Sequence, residues 1–424
     1  MKRFVFLFLM MGLLVSCSSG EKPGDDGDAT TSDSDFEGEE ITLMIPDWGA
    51  PTEEMLEEFK EETGIKVNVE PTAWSDIKSK ISIAAAGNNT PADVVEVDWS
   101  WAGEFHSAGW LESLDVDGET KEDIPALQYF EFDDEIVAIP YANGIRLAYY
   151  NKRMAQEAGV EEIPTNWEEM IHVFDQLKAS GTVEYPFLFP LNAEEKTTTS
   201  FMTLAYTRNG IVFNEDDTLN REAVLDTFNL LDELIEKDFI NENSVSAPGI
   251  DVFRGINNGE GAVLIGPTSF ITSSNDESVS KVVGEVTNIP VPGKEGPAEQ
   301  TITFTEAVGV SAFSEKKEAA KKFVDWFSRP ETQLALNEAI NNTPTRTSVI
   351  EKMVNEGIIK EPGAIIEQSK IIETPFPHGV PKYYTKMSTE MFNIINQFGQ
   401  RKLTPEEATD KMVEAVNELV EENK

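Results

Sequence analysis

Tryptophans and acids gather where short apolar runs of this sequence end. Trp48 follows ITLMI, which begins at Ile41, and Trp74 follows IKVNVEP, which begins at Ile65. Asp98, Trp99 and Trp101 close or follow DVVEVD, which begins at Asp93. An indole face packs on the C–H patches of a sugar ring, and a carboxylate accepts its hydroxyl hydrogens. Loops at strand C-termini are where open α/β sheets bind ligands. Each tryptophan alone could equally be a half-buried core or rim residue; three such loops together point to a site.

Other chemistry finds little support. The chain has three histidines, His106, His172 and His378, far apart and without an HExxH pair. There is no phosphate-binding loop. Asn258-Gly259-Glu260-Gly261 precedes an apolar run instead of following one. Gly309-Val310-Ser311-Ala312 does not complete a nucleophile elbow. Cys17 is the single cysteine, so neither an internal disulfide nor a thiolate metal site is expected. No cofactor and no metal are expected. With 77 acids, carboxylate pairs arise by chance, and nothing selects one for hydrolysis.

The elements that must hold the aromatic loops are legible. ITLMI alternates as a strand does, and TEEMLEEFKEETG places Met55, Leu56 and Phe59 on one helical face, with Gly64 at the C-cap. IKVNVEP reads as a second strand. SDIKSKISIAAAG puts Ile77, Ile81 and Ala84 on one face, ending at Gly87. DVVEVD reads as a buried strand. Strand–helix alternation of this kind predicts α/β lobes with mostly parallel sheets. Further on, residues 166–180 read as a helix and AVLIGP as a strand. Pro330 starts a new helix, and Thr404-Pro405-Glu406-Glu407 forms a capping box. A chain of 424 residues exceeds one core, so two domains are expected. The formal charge of -43 opposes nucleic-acid binding.

The N-terminus reads as a signal peptide over residues 1–16. Lys2 and Arg3 precede an apolar run from Phe4 to Leu14, too short to span a membrane comfortably. Leu14-Val15-Ser16-Cys17 resembles a bacterial lipobox, with Cys17 the lipidated residue. Residues 17–38 then read as an acidic, disordered tether.

The order of several local strings extends this picture: FKEETGIKV from Phe59, PADVV from Pro91, FHSAGWLESLD from Phe105, AIPY from Ala138 and LAYYNK from Leu147. IPTNWEEM from Ile163, GEGAVLIGP from Gly259, AVGVS from Ala307 and AAKKFVDWF from Ala319 follow. Together they resemble extracellular solute-binding protein family 1, the maltose-binding-protein-like substrate receptors of ABC importers, over roughly residues 40–420.

The resemblance implies a two-lobed periplasmic-binding-protein-like fold with a ligand cleft between lobes. One lobe would hold residues 39–142 and 303–344, the other 143–302 and 345–424. The crossings would fall near Tyr141–Ile145, Thr301–Glu306 and Thr343–Arg346. By position it adds Asn143, Arg146, Glu306, Arg346, Phe270, Tyr383 and Tyr384 to the candidate ligand set. Thr268 stands where many sugar-binding members carry an aromatic, which disfavours a long stacked oligosaccharide. The expected function is capture of a mono- or oligosaccharide and its delivery to permease subunits by lobe closure. The protein would act as a non-enzymatic, lipid-anchored, extracytoplasmic monomer. Alternatives are a receptor for another polar solute (polyol, polyamine or metal chelate) and a membrane-anchored hydrolase.

Overall fold

A computed structural model describes residues 36–424. Cys17 and the signal segment lie outside the described residues. Phe36, which the sequence reading assigned to the tether, packs against the hydrophobic cluster that holds Ile41, Leu43 and Ile45, and Gly38 N–H donates to Gly64 O at 3.2 Å.

Eleven strands are described: β1 (Glu40–Ile45), β2 (Lys66–Pro71), β3 (Val94–Asp98), β4 (Glu131–Phe132), β5 (Glu135–Ile136), β6 (Ile139–Ala142), β7 (Arg146–Asn151), β8 (Phe187–Leu188), β9 (Val263–Pro267), β10 (Val286–Ile289) and β11 (Glu306–Val310). One sheet has the order β2-β1-β3-β11-β6, a second β10-β7-β9-β8, and β4 and β5 form a small hairpin. Helices pack around both main sheets, and the fold is two-lobed α/β as expected.

The sheets are more mixed than the mostly parallel expectation. β1 runs parallel to β2 and β3, whereas β11 runs antiparallel to β3 and β6. In the second sheet β7 is antiparallel to both β10 and β9, and only β8 with β9 is parallel. The chain's traffic between sheets explains this. β6 leads out of the first sheet and β7 enters the second; β10 leaves the second and β11 re-enters the first. A returning strand beside a departing one must run the opposite way.

These crossings lie side by side. Ile145 pairs antiparallel with Thr303, and Asn143 N–H donates to Thr343 O at 2.9 Å. Gly144 is required here, because a Cβ would sit 2.2 Å from Phe304 O.

Local signals place the elements. Thr52 caps helix Glu53–Thr63 by accepting from Met55 N–H at 3.3 Å, and Gly64 takes the left-handed conformation at φ 79°. Met55 and Phe59 are buried there, while Leu56 is partly exposed. In helix Trp74–Ala86 the buried positions are Ile77, Ile81 and Ala85, not Ala84, because the i, i+4, i+8 row faces the sheet. The Thr404–Glu407 capping box is formed. Among the described residues no helix is long and apolar enough to cross a membrane.

Candidate functional site

The first sheet offers an acidic rim. Glu306, at the start of β11, lies directly opposite Asp98, at the end of β3. Glu96 is two residues back on β3 and therefore on the same face. Tyr141 Oη, on β6, donates to Glu96 Oε2 at 3.0 Å. Ser100 N–H donates to Asp98 Oδ1 at 2.7 Å, and the Ser100 hydroxyl donates to the same oxygen.

Three carboxyls this close and this buried cannot all ionise cheaply. Burial pushes Asp98 well above the usual carboxylate range, and the neighbouring Glu306 charge adds to it. Burial likewise raises Glu306, with Glu96 next in effect. Burial lifts Glu96 to about 8. Glu96 Oε1 and Glu306 Oε2 are buried without a hydrogen-bond donor when both groups are ionised. The two glutamates are, however, hydrogen-bonding neighbours. One proton held between them therefore satisfies the pair.

Aromatic rings flank this rim. The Trp74 side chain lies beside Glu306 and partly offsets the upward push of burial on its carboxyl. Its ring lies 5.0 Å from that of Trp101, tilted by 35°, and Trp101 is also 6.1 Å from Phe105. Trp74 is 40% exposed and Trp101 5%, so one indole faces water and the other supports it. Trp99 points another way. Its ring lies 4.5 Å from Phe304 at the crossing and 4.7 Å from Tyr384, which begins helix Tyr384–Gly399.

The opposite lobe contributes through that contact. Tyr384 Oη donates to Glu195 Oε1 at 2.5 Å, and the Ser388 hydroxyl donates to Glu195 Oε2. Burial raises the Glu195 carboxyl, and its charge reaches Asp98 across the seam. Arg146 is buried and has no carboxylate among the groups that act on it. It donates to Gly144 O at 3.2 Å and stacks 4.5 Å over the Phe304 ring. Burial lowers its pKa to about 10. Asn143 accepts from Thr303 Oγ1 at 2.6 Å, while its buried Nδ2 has no acceptor.

The structure thus gathers Trp74, Asp98, Trp99, Trp101, Asn143, Arg146, Glu306 and Tyr384 around one seam. Trp48, 46% exposed in a short turn after β1, precedes Gly49, where a Cβ would sit 2.2 Å from Tyr141 Oη of the rim. Others of the candidate set are engaged elsewhere. Phe270 is buried between Tyr149 and Phe253, at 6.0 and 6.1 Å. Arg346 is committed to Ser328 O at 2.7 Å and Asp123 Oδ2 at 3.0 Å. Tyr383 is half-buried one residue before its helix, and burial raises its hydroxyl to about 12.

The sequence reading missed Glu96, Glu195, Phe304 and Ser388. Glu96 had a signal, being a lone acid inside an apolar strand. Glu195 had a fainter one: it opens a helix whose next turn, Thr197 to Ser200, is polar yet buried.

Comparison with known proteins agrees with this architecture. The family profile described as bacterial extracellular solute-binding protein matches residues 45–334. The diacetylchitobiose binding protein DasA of Streptomyces coelicolor is 28% identical over 177 residues, 40% of each chain. The sugar-binding protein MalE from Xanthomonas citri superposes with a TM-score of 0.77 at 19% identity, covering 90% of this chain and 98% of that one. Maltose-bound MalE3 of T. maritima gives 0.71 at 22% identity, covering 90% and 99%. These two structures are alike in fold.

Proposed function

Because the chain belongs to the bacterial extracellular solute-binding proteins, we propose that it captures a sugar in the seam between its lobes and delivers it to an ABC importer permease. The ligand is a mono- or oligosaccharide. The lobes comprise residues 39–142 with 303–344 and residues 143–302 with 345–424. Cys17 carries the lipid that holds the protein on the outer face of the cell membrane, and closure of the lobes commits the ligand.

One juxtaposition carries this reading. Carboxyls of one lobe, Asp98 and Glu306, stand beside the Trp74–Trp101 pair and face Glu195 and Tyr384 of the other. A polyhydroxylated ring needs acceptors for its hydroxyl hydrogens and an aromatic face for its C–H patches, and this seam has both. The named relatives bind diacetylchitobiose, sugar and maltose, which supports the same class.

The test is calorimetric titration with a panel of mono- and oligosaccharides, followed by mass analysis of the recovered ligand. Saturable binding with the sugar returned intact is expected. Failure of every saccharide to bind at millimolar concentration overturns the reading, and a cleaved product replaces it with hydrolysis.

A further inference from the structure

Arg146 stands apart from the other arginines of this acid-rich chain. Every other described arginine forms an ion pair with a carboxylate. Among the described residues Arg146 has none, although it is only 8% exposed and the chain holds 77 acids. A desolvated cation without a counter-charge is unfavourable, and buried arginines are normally paired.

The backbone fixes where this cation sits. Arg146 opens β7 at the first crossing; its N–H donates to Ile302 O at 3.0 Å, and its carbonyl accepts from Thr301 Oγ1 at 3.1 Å. The guanidinium lies 4.5 Å over the Phe304 ring, and Nη1 donates to Gly144 O at 3.2 Å. A guanidinium carries five N–H donors. Nε and Nη2 have no acceptor among the described residues, yet neither is sealed from solvent. Their hydrogens point the same way, and together they make the side-on fork that matches the two oxygens of a carboxylate.

The surroundings suit an anion. Phe304 joins the guanidinium to the rings of the seam: Trp99 lies 4.5 Å from Phe304 and 4.7 Å from Tyr384 of the other lobe. Apolar walls keep the local dielectric low and strengthen an ion pair. Burial lowers the Arg146 pKa to about 10, so the group stays charged near neutrality. The rim acids do not oppose a negative group, because burial keeps Asp98 and Glu306 protonated. The formal charge of -43 is spread over the whole chain and is screened beyond about 8 Å at physiological salt.

We propose that the captured sugar carries a carboxylate, as a uronic acid does, and that Nε and Nη2 of Arg146 receive it as a two-pronged pair. The inference rests on the sugar-capture reading above and narrows its ligand class. A hydroxyl in the same place accepts hydrogen bonds but leaves the cation unmatched.

Matched probes isolate the group: glucuronate with glucose and glucuronamide, galacturonate with galactose, and mannuronate with mannose. Within each set only the carboxylate changes, to a hydroxymethyl or a neutral amide. Calorimetry at pH 7 should show at least one uronate binding about tenfold or more tightly than its neutral counterparts. Arg146→Met keeps the length of the side chain and removes the fork and charge. It should weaken that uronate about thirtyfold or more and erase the preference, and Arg146→Lys should recover part of it. Melting curves check that both variants fold.

Equal affinity within every set, or tighter binding of the neutral members, overturns the carboxylate inference and leaves sugar capture standing. A preference for the acid that survives in Arg146→Met overturns Arg146 as its receptor. Equal loss of acid and neutral sugar in that variant, with a lowered melting temperature, makes Arg146 a support for Phe304 and overturns it likewise. Acetate bound as tightly as the uronates keeps the anion and overturns the sugar. No binding by any probe at millimolar concentration overturns both.

Discussion

Glu96 lets the buried acid cluster be tested by pH alone. The side chain has no solvent exposure, one oxygen accepts from Tyr141, and burial raises its pKa from 4.5 to about 8. Its sign follows from linkage. Between those two values the folded chain keeps a proton that the unfolded chain has lost, so stability falls as pH rises from about 4.5 to about 8. At about 1.36 kcal/mol per pH unit the ceiling is about 5 kcal/mol. Because Glu306 shares the proton, the part owned by Glu96 is smaller, on the order of 2 kcal/mol.

Glu96→Gln removes the titration and keeps the shape. The amide oxygen can accept from Tyr141 and the amide nitrogen can donate to Glu306. The variant should be more stable than wild type at pH 8 by about 2 kcal/mol, with the two converging near pH 5. Denaturant unfolding at several pH values measures the difference, which cancels the general repulsion of a chain carrying -43 charges. A variant whose stability stays parallel to wild type from pH 5 to pH 8 would refute the buried, protonated Glu96.

Three other expectations follow from single side chains. Trp101→Ala should weaken sugar binding about tenfold or more, since stacked aromatics contribute about 0.5–1.5 kcal/mol beyond the area they bury; a lowered melting temperature with affinity intact would make Trp101 purely a support for Phe105 and Trp74. Arg346→Ala should destabilise by about 1–2 kcal/mol, because it frees the Ser328 carbonyl and leaves Asp123 held by Ser348 alone; loss of affinity at unchanged stability would move Arg346 into the solute site instead. Cys17→Ser should release the protein from the membrane fraction, and retention there, with no lipid on wild-type Cys17 by mass spectrometry, would remove the anchor.

Where the sequence punctuates itself, the fold was readable. Gly64, Asn166, Pro330 and Thr404 each mark a helix boundary that the structure shows, because caps and prolines act locally. Strand direction was less readable, because it depends on which sheet the chain has just left, as β11 beside β6 shows. The strand-end tryptophans were found from position alone, but their facing was not. Trp99 turns to Phe304 and Tyr384, whereas Trp101 turns to Trp74, although both belong to one short turn. Glu195 lies 97 residues beyond Asp98 in the chain, and only lobe packing brings its charge to Asp98. Arg346 and Phe270 illustrate the converse. Their positions in the chain suit a cleft, yet an Asp123 carboxylate and a ring pocket engage them elsewhere.

A crystal structure with a bound saccharide tests the central claim most directly. The sugar should lie in the seam, touching Asp98 and Glu306 from one lobe and Glu195 or Tyr384 from the other, with an indole of the Trp74–Trp101 pair against a ring face. A sugar seated instead in the cavity of about 690 Å³ lined by Thr268, Asn341 and Ile358, with the acidic seam empty, would contradict the account.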